Sequence, residues 1–153
     1  MKNIRVSTKA IIIKDNKILM IKNIDKDGFW YILPGGGQHH KETMIQALKR
    51  ECKEEANIDV KVGELLFIRE YIGEHHEFKE FDKDEHQIEL MFSCKIINNT
   101  RAQVGKTPDI YQKGVEWVEI NNLHNYRVYP KTLKEIFLNI RKKKFPIYLG
   151  DIN

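Results

Sequence analysis

Three glutamates, Glu51, Glu54 and Glu55, lie within one short stretch, KRECKEEANI, and the glycines Gly35 to Gly37 come shortly before it. On a helix, positions i, i+3 and i+4 share a side, so the spacing predicts three converging carboxylates. Like charges so placed on a wet helix cost only about 0.2–0.5 kcal/mol per pair. A solvated Glu/Lys face is therefore one reading of the segment. The glycine turn favours another, because Gly allows backbone shapes closed to other residues and lets carbonyl oxygens approach a ligand. Carboxylates, a backbone carbonyl and water are the oxygen donors that Mg²⁺ and Mn²⁺ prefer, and the chain has no Cys/His spacing suited to zinc. The segment points to chemistry at a hard divalent cation.

Several elements must hold such a helix in place. Residues Arg5 to Ile13 and Lys17 to Lys22 are rich in apolar and β-branched types around Asp15-Asn16, which is a hairpin pattern. Phe29 to Leu33 predicts a short aromatic strand, stopped by Pro34 and the glycines. Thr43 to Ala56 predicts a helix, with Ile45, Leu48, Cys52 and Ala56 as its core-facing stripe. Ile58 to Ile72 predicts a long β-run bent at Gly63, and the charged, histidine-rich stretch Gly73 to Glu85 predicts a loop. Gln87 to Ile97 and Gly114 to Ile120 predict strands, and Pro130 opens a last helix reaching Lys143. Strands and helices mixed in this way predict one α/β domain over residues 1–153.

Composition narrows the class. Of 153 residues, 41% are hydrophobic and 31% charged, which suits a globular chain. The net charge of +4 is mild, and Arg141 to Lys144 supply much of it. Placed at a helix end, those cations complement its dipole, so a nucleic-acid partner is not expected. There is no apolar run of membrane-spanning length and no secretory core, so a cytoplasmic protein without a membrane partner is expected. Cys52 and Cys94 sit in apolar contexts and are expected to stay unpaired.

The spacing G-x5-E-x7-R-E-U-x-E-E-x-G-U, with U a bulky apolar residue, is the Nudix box. Gly36, Glu42, Arg50, Glu51, Glu54, Glu55 and Ile58 fall on it, so residues 36–58 resemble the box of the Nudix (MutT-like) hydrolases. Cys52 replaces a larger aliphatic residue, and Asn57 replaces the last Gly, where Asn is the next-best left-handed residue. The resemblance implies a Nudix-like α/β/α sandwich: a mixed β-sheet flanked by the box helix and a C-terminal helix. It implies a divalent-metal-dependent hydrolase that cleaves the pyrophosphate linkage of a nucleoside diphosphate derivative. Nucleoside triphosphates, ADP-ribose and nucleotide sugars are the candidates, with Mg²⁺ as cofactor and Mn²⁺ as a substitute.

By the same resemblance, Glu51, Glu54, Glu55 and the Gly35 carbonyl hold metal, and Arg50 orients the carboxylates through Glu42 and Glu54. Glu51 or Glu54 is favoured as the base. Glu89, on the polar face of its strand, is a further candidate for metal or base. Trp30, with Phe29 and Tyr31, is a candidate for base stacking, and Gly36, Gly37, His39 and His86 are candidates for substrate contact. A non-catalytic nucleotide-binding module on the same fold is the alternative, and the retained box glutamates weigh against it. The expected partner is a small nucleotide. Tyr148, Leu149 and Ile152 can dock on the body or on a second copy, the latter giving a homodimer. The loops that choose substrate, Gly73–Glu85 and Asn98–Gln112, carry no readable pattern.

Overall fold

A computed structural model describes residues 2–153. The chain begins with β1 (Arg5–Ile11), β2 (Ile13–Lys14) and β3 (Lys17–Asp25), followed by β4 (Gly28–Ile32) and β5 (Gly35–Gly37). Asp15 and Asn16, at φ 50° and 59°, make the left-handed turn expected between β2 and β3. Helix α1 (Met44–Ala56) leads into β6 (Asp59–Ile72), a one-turn helix α2 (Lys79–Asp82), β7 (His86–Ile97) and β8 (Gln112–Glu119). Helix α3 (Thr132–Asn139) and β9 (Tyr148–Asp151) complete the described chain.

Five strands form one sheet in the order β5-β1-β7-β6-β9, with β1 parallel to β7 and β9 parallel to β6. In the second sheet β3 pairs antiparallel with β2, β4 and β8. The two-residue period of β3 separates the core into two layers. Ile18 and Met20 join Leu133, Ile136 and Phe137 of α3, whereas Leu19 and Ile21 join Leu48, Cys52 and Ala56 of α1. The architecture is therefore mixed α+β, with α1 and α3 on opposite faces.

Local chemistry fixes α1. Thr43 accepts from the Gln46 amide while the Gln46 side chain accepts from the Thr43 amide, a capping box. Asn57 ends the helix in the left-handed region at φ 54°, and its amide donates to Lys53 O. The buried stripe runs through Ala47, Leu48, Cys52, Glu55 and Ala56. Ile45, expected in that stripe, is 47% exposed, and Ala47 takes the buried position in the first turn.

Three other expectations change, and one alternative is decided. The glycines form a strand, since β1 supplies the partner that three glycines lack on their own. Segment 73–85 is not all loop: it carries a 3₁₀ turn at Gly73–His75 and the short helix α2. Helix α3 stops at Asn139, short of Lys143, because Phe145 and Leu149 turn back onto the core. The tail docks on the body, with β9 alongside β6. Among the described residues no helix is long and apolar enough to cross a membrane.

Candidate active site

A pair of hydrogen bonds on one residue ties the glycine strand to α1 and to β1. Gly35 has φ +131°, and a Cβ there would lie 2.0 Å from Thr8 O, so only glycine fits. Its amide donates to Glu55 Oε2 at 2.8 Å, and its carbonyl accepts from Lys9 Nζ at 2.8 Å. Glu55 is 3% exposed. Burial pushes its carboxyl up to about 7, against the opposing pull of Lys9 and the Gly35 amide.

Arg50 organises the other carboxylates. Its Nε and Nη2 grip Glu42 at 2.8 and 3.1 Å, and Nη1 donates to Glu51 at 2.8 Å and Glu54 at 3.1 Å. Nη2 also donates to Gly37 O at 2.9 Å, which ties the guanidinium to the glycine strand. The Arg50 bonds and the His39 amide bring the Glu42 carboxyl down to about 2. Gly36 lies against the Glu51 carboxylate, where a Cβ would come within 2.6 Å.

Helical spacing predicts three converging carboxylates, and the structure divides them. Glu51 and Glu54 share Arg50, while Glu55 turns inward to Gly35. Among the described residues no group of three His, Cys, Asp or Glu side chains stands preassembled for a metal ion. The donors nonetheless suit a hard divalent cation, being the carboxylate oxygens of Glu51, Glu54 and Glu55 and the Gly35 carbonyl. Glycine at position 36 keeps clear the space beside Glu51 that a methyl group would fill.

The strand candidates fall out unevenly. Glu89 does not face water as its alternation suggests: it is 4% exposed, paired with Arg69 Nε, and accepts from Gln87 Nε2 at 2.9 Å. Burial would raise its carboxyl, but Arg69, Lys9 and Arg5 outweigh that and hold it below the usual range. His86 engages Glu70 at 3.3 Å, and His39 is exposed, offering its backbone amide to Glu42. Trp30 packs edge-on to Tyr129 at 6.2 Å and lines a chamber of about 550 Å³.

Residues not anticipated from sequence line the route inward. A second cavity of about 200 Å³ is walled by Arg5, Lys9, Arg69 and Glu89, and it shares Ile32, Arg69, Gln87 and Tyr129 with the chamber. Lysine in the middle of the apolar strand β1 was the available signal for Lys9, since an ammonium is seldom buried without a function or a partner. Arg69 gave no such signal, because its role depends on the pairing of β6 with β7.

This combination of a glycine strand, an arginine-held set of glutamates and an α/β/α sandwich defines a family already known. The NUDIX domain matches residues 3–138, and the chain belongs to the Nudix family. An ADP-ribose pyrophosphatase from Methanocaldococcus jannaschii is 32% identical over 119 residues, covering 77% of this chain and 63% of that protein. An 8-oxo-dGDP phosphatase from Danio rerio is 35% identical over 72 residues, covering 45% of this chain and 22% of that one. The chain thus spans less than two thirds of the length of either curated relative. In structure, a NUDIX hydrolase from Nitrosomonas europaea aligns with a TM-score of 0.73 at 22% identity, covering 100% of this chain and 81% of that one.

Proposed function

We propose that this protein is a divalent-metal-dependent hydrolase that cleaves the pyrophosphate linkage of a nucleoside diphosphate derivative. One observation carries the reading: Glu51, Glu54 and Glu55 stand with the Gly35 carbonyl at one junction of α1 and β5, each already held by a named partner. Bound at those oxygens, Mg²⁺ or Mn²⁺ would neutralise diphosphate charge as a Lewis acid.

The chain's own residues perform the rest. Lys9, Arg5 and Arg69 wall the inner cavity and attract the diphosphate. Arg50 fixes the angles of Glu51 and Glu54 through charge-assisted bonds. Glu51 or Glu54 accepts the proton of the attacking water, and the 39% exposure of the Glu54 side chain leaves it open to solvent. Glu89 balances Arg69 and keeps its guanidinium facing the cavity. Trp30 offers a ring to the base.

The test is turnover with Mg²⁺ or Mn²⁺ on nucleoside triphosphates (oxidised ones included), ADP-ribose, nucleotide sugars, dinucleoside polyphosphates and NADH. ADP-ribose comes first, on the strength of the archaeal relative. Cleavage of at least one substrate is expected, with Glu54→Gln slower by orders of magnitude. An inert panel, or a Glu54→Gln variant as fast as the parent, refutes the proposal.

A further inference from the structure

Arg69 is buried and held from two sides. Its Nε pairs with Glu89, and its Nη1 donates to the Ile152 carbonyl at 2.8 Å. Its Nη2 has no hydrogen-bond partner among the described residues, and Arg69 lines both the chamber and the inner cavity. A guanidinium carries its N–H donors in one rigid plane. Fixing two of its nitrogens therefore fixes where the third one points.

The Ile152 carbonyl depends on the residue before it. Strand β9 has four residues, lies at the edge of its sheet and meets β6 in an irregular parallel register. Parallel pairing is the weaker kind per residue, so a strand this short needs an anchor besides its ladder. Asp151 is that anchor. Its Oδ1 accepts from the Ile72 amide at 2.9 Å and from His76 Nε2 at 2.6 Å, and its Oδ2 accepts from His75 Nδ1 at 2.7 Å. A carboxylate only accepts, so each facing ring nitrogen carries its proton. Burial would raise the Asp151 carboxyl, but His76, the Ile72 amide and His75 outweigh it and bring the group down to about 2. The anchor is backed in turn: His76 stacks on Tyr71 at 5.1 Å, and the Tyr71 hydroxyl donates to Asp82 at 2.8 Å.

The contacts with Ile72 and with the Glu70 carbonyl, which accepts from the Ile152 amide at 3.2 Å, serve the sheet edge. The bond to Arg69 goes further, because it reaches a residue that walls both cavities. Without it the guanidinium pivots on the single Glu89 contact, and a closer fork to that carboxylate, which arginine favours, competes with substrate. We propose that Asp151 is a positioning residue for substrate: bound by His75 and His76, it keeps the Ile152 carbonyl on Arg69 and the free guanidinium nitrogen turned to the path of the diphosphate. The assignment rests on the hydrolase reading above for what Arg69 meets, but the orientation of Arg69 is measurable without substrate. Because Arg69 would grip ground state and transition state alike, the effect belongs in KM and not in kcat.

The experiment uses the full chain with isotope-labelled arginine, the Arg69 signals being identified by their loss in Arg69→Lys. In the parent, rotation about the Nε–Cζ bond should be slow enough to separate the Arg69 Nη protons, and in Asp151→Ala these signals should merge. Affinity for pyrophosphate with Mg²⁺ is followed by calorimetry, and KM and kcat on each panel substrate that is cleaved. Asp151→Ala should raise the pyrophosphate Kd and the KM about tenfold, with kcat within about twofold of the parent. Asp151→Asn keeps one oxygen for the Ile72 amide and His76, so it should fall between the two, and it carries the comparison if the alanine variant does not fold. Lysine cannot hold Glu89 and the Ile152 carbonyl together, so Asp151→Ala added to Arg69→Lys should weaken binding no further. Arg69 signals equally slow in parent and variants, a Kd within twofold of the parent, or losses that add in the double variant each overturn the proposal. A panel without turnover defeats the hydrolase reading alone, since pyrophosphate affinity and the Arg69 signals still decide the role of Asp151.

Discussion

Glu55 is buried against the amide of Gly35, its Oε2 accepting that N–H at 2.8 Å, and Lys9 brings positive charge close by. A carboxyl raised from 4.5 to about 7 favours the folded state while protonated. Its stabilising contribution is fully present below pH 4.5 and is lost as pH rises through 7. The shift corresponds to about 3 kcal/mol of strain from the buried charge in metal-free protein above neutrality. Glu55→Gln keeps an acceptor for Gly35 without the charge. In EDTA the variant should melt several degrees higher than the parent at pH 8 and within a degree or two of it near pH 4.5. Equal melting temperatures at pH 8 would show that Glu55 is not under that strain. With saturating Mg²⁺ the order should reverse, because the parent gains the cation's binding free energy.

Gly35 and Gly36 are adjacent yet should respond differently to alanine. At Gly35 the added Cβ meets the Thr8 carbonyl at 2.0 Å with φ at +131°, a backbone conflict that nothing can relieve. Gly35→Ala should cost stability severely, seen as loss of soluble folded protein or a large fall in Tm. At Gly36 the nearest atoms to the Cβ are those of the Glu51 carboxylate, at 2.6 Å, and a side-chain end can swing away. Gly36→Ala should fold with Tm little changed and lose activity, because Glu51 is displaced. A fully active Gly36→Ala would remove the reason for a glycine at that position.

Much of this site could be read from the chain, and the parts that could not share one physical cause. Helix α1 was legible because its signals are local: the Thr43 cap, the apolar spacing and Asn57 at the end. The family followed from the same stretch, and the hairpin turn from Asp15-Asn16. What remained hidden depended on distant partners. Glycines Gly35–Gly37 become a strand through β1, and Glu89 becomes a buried ion pair through Arg69 on β6. Strand β9 exists through β6, and the chamber draws Phe81 from α2 and Tyr111 from the segment before β8, stretches whose sequences carry no readable pattern. Even the acidic trio misled in one respect, since spacing sets where side chains start and Arg50 and Gly35 set where they point.

Glu42 should set the acid limit of this corner. Its carboxyl lies at about 2 in place of 4.5, chiefly through the Arg50 hydrogen bonds. A depressed carboxyl contributes stability above its ordinary value and loses it as pH falls toward the depressed one. Glu42→Gln should therefore melt below the parent at pH 7, with the two curves meeting near pH 2. Parallel curves between pH 7 and pH 2 would show that the pair contributes nothing pH-dependent.

Arg50 does in metal-free protein part of what a cation does when bound, since one guanidinium sits among Glu42, Glu51 and Glu54. Removing it leaves three carboxylates unneutralised in a partly buried corner, which should cost about 1–3 kcal/mol. Arg50→Ala should accordingly melt well below the parent in EDTA. Millimolar Mg²⁺ should recover a larger share of stability in the variant than it adds to the parent, because the freed carboxylates have no competing partner. Activity should stay low even at saturating metal, because Glu51 and Glu54 have lost the group that sets their angles. Arg50→Lys separates charge from shape: an ammonium supplies the charge but cannot hold Glu42 with two parallel bonds while also reaching Gly37 O. Its melting temperature should fall between parent and alanine, with activity nearer to alanine. A lysine variant with full activity would show that only the positive charge matters and that the fork geometry is incidental.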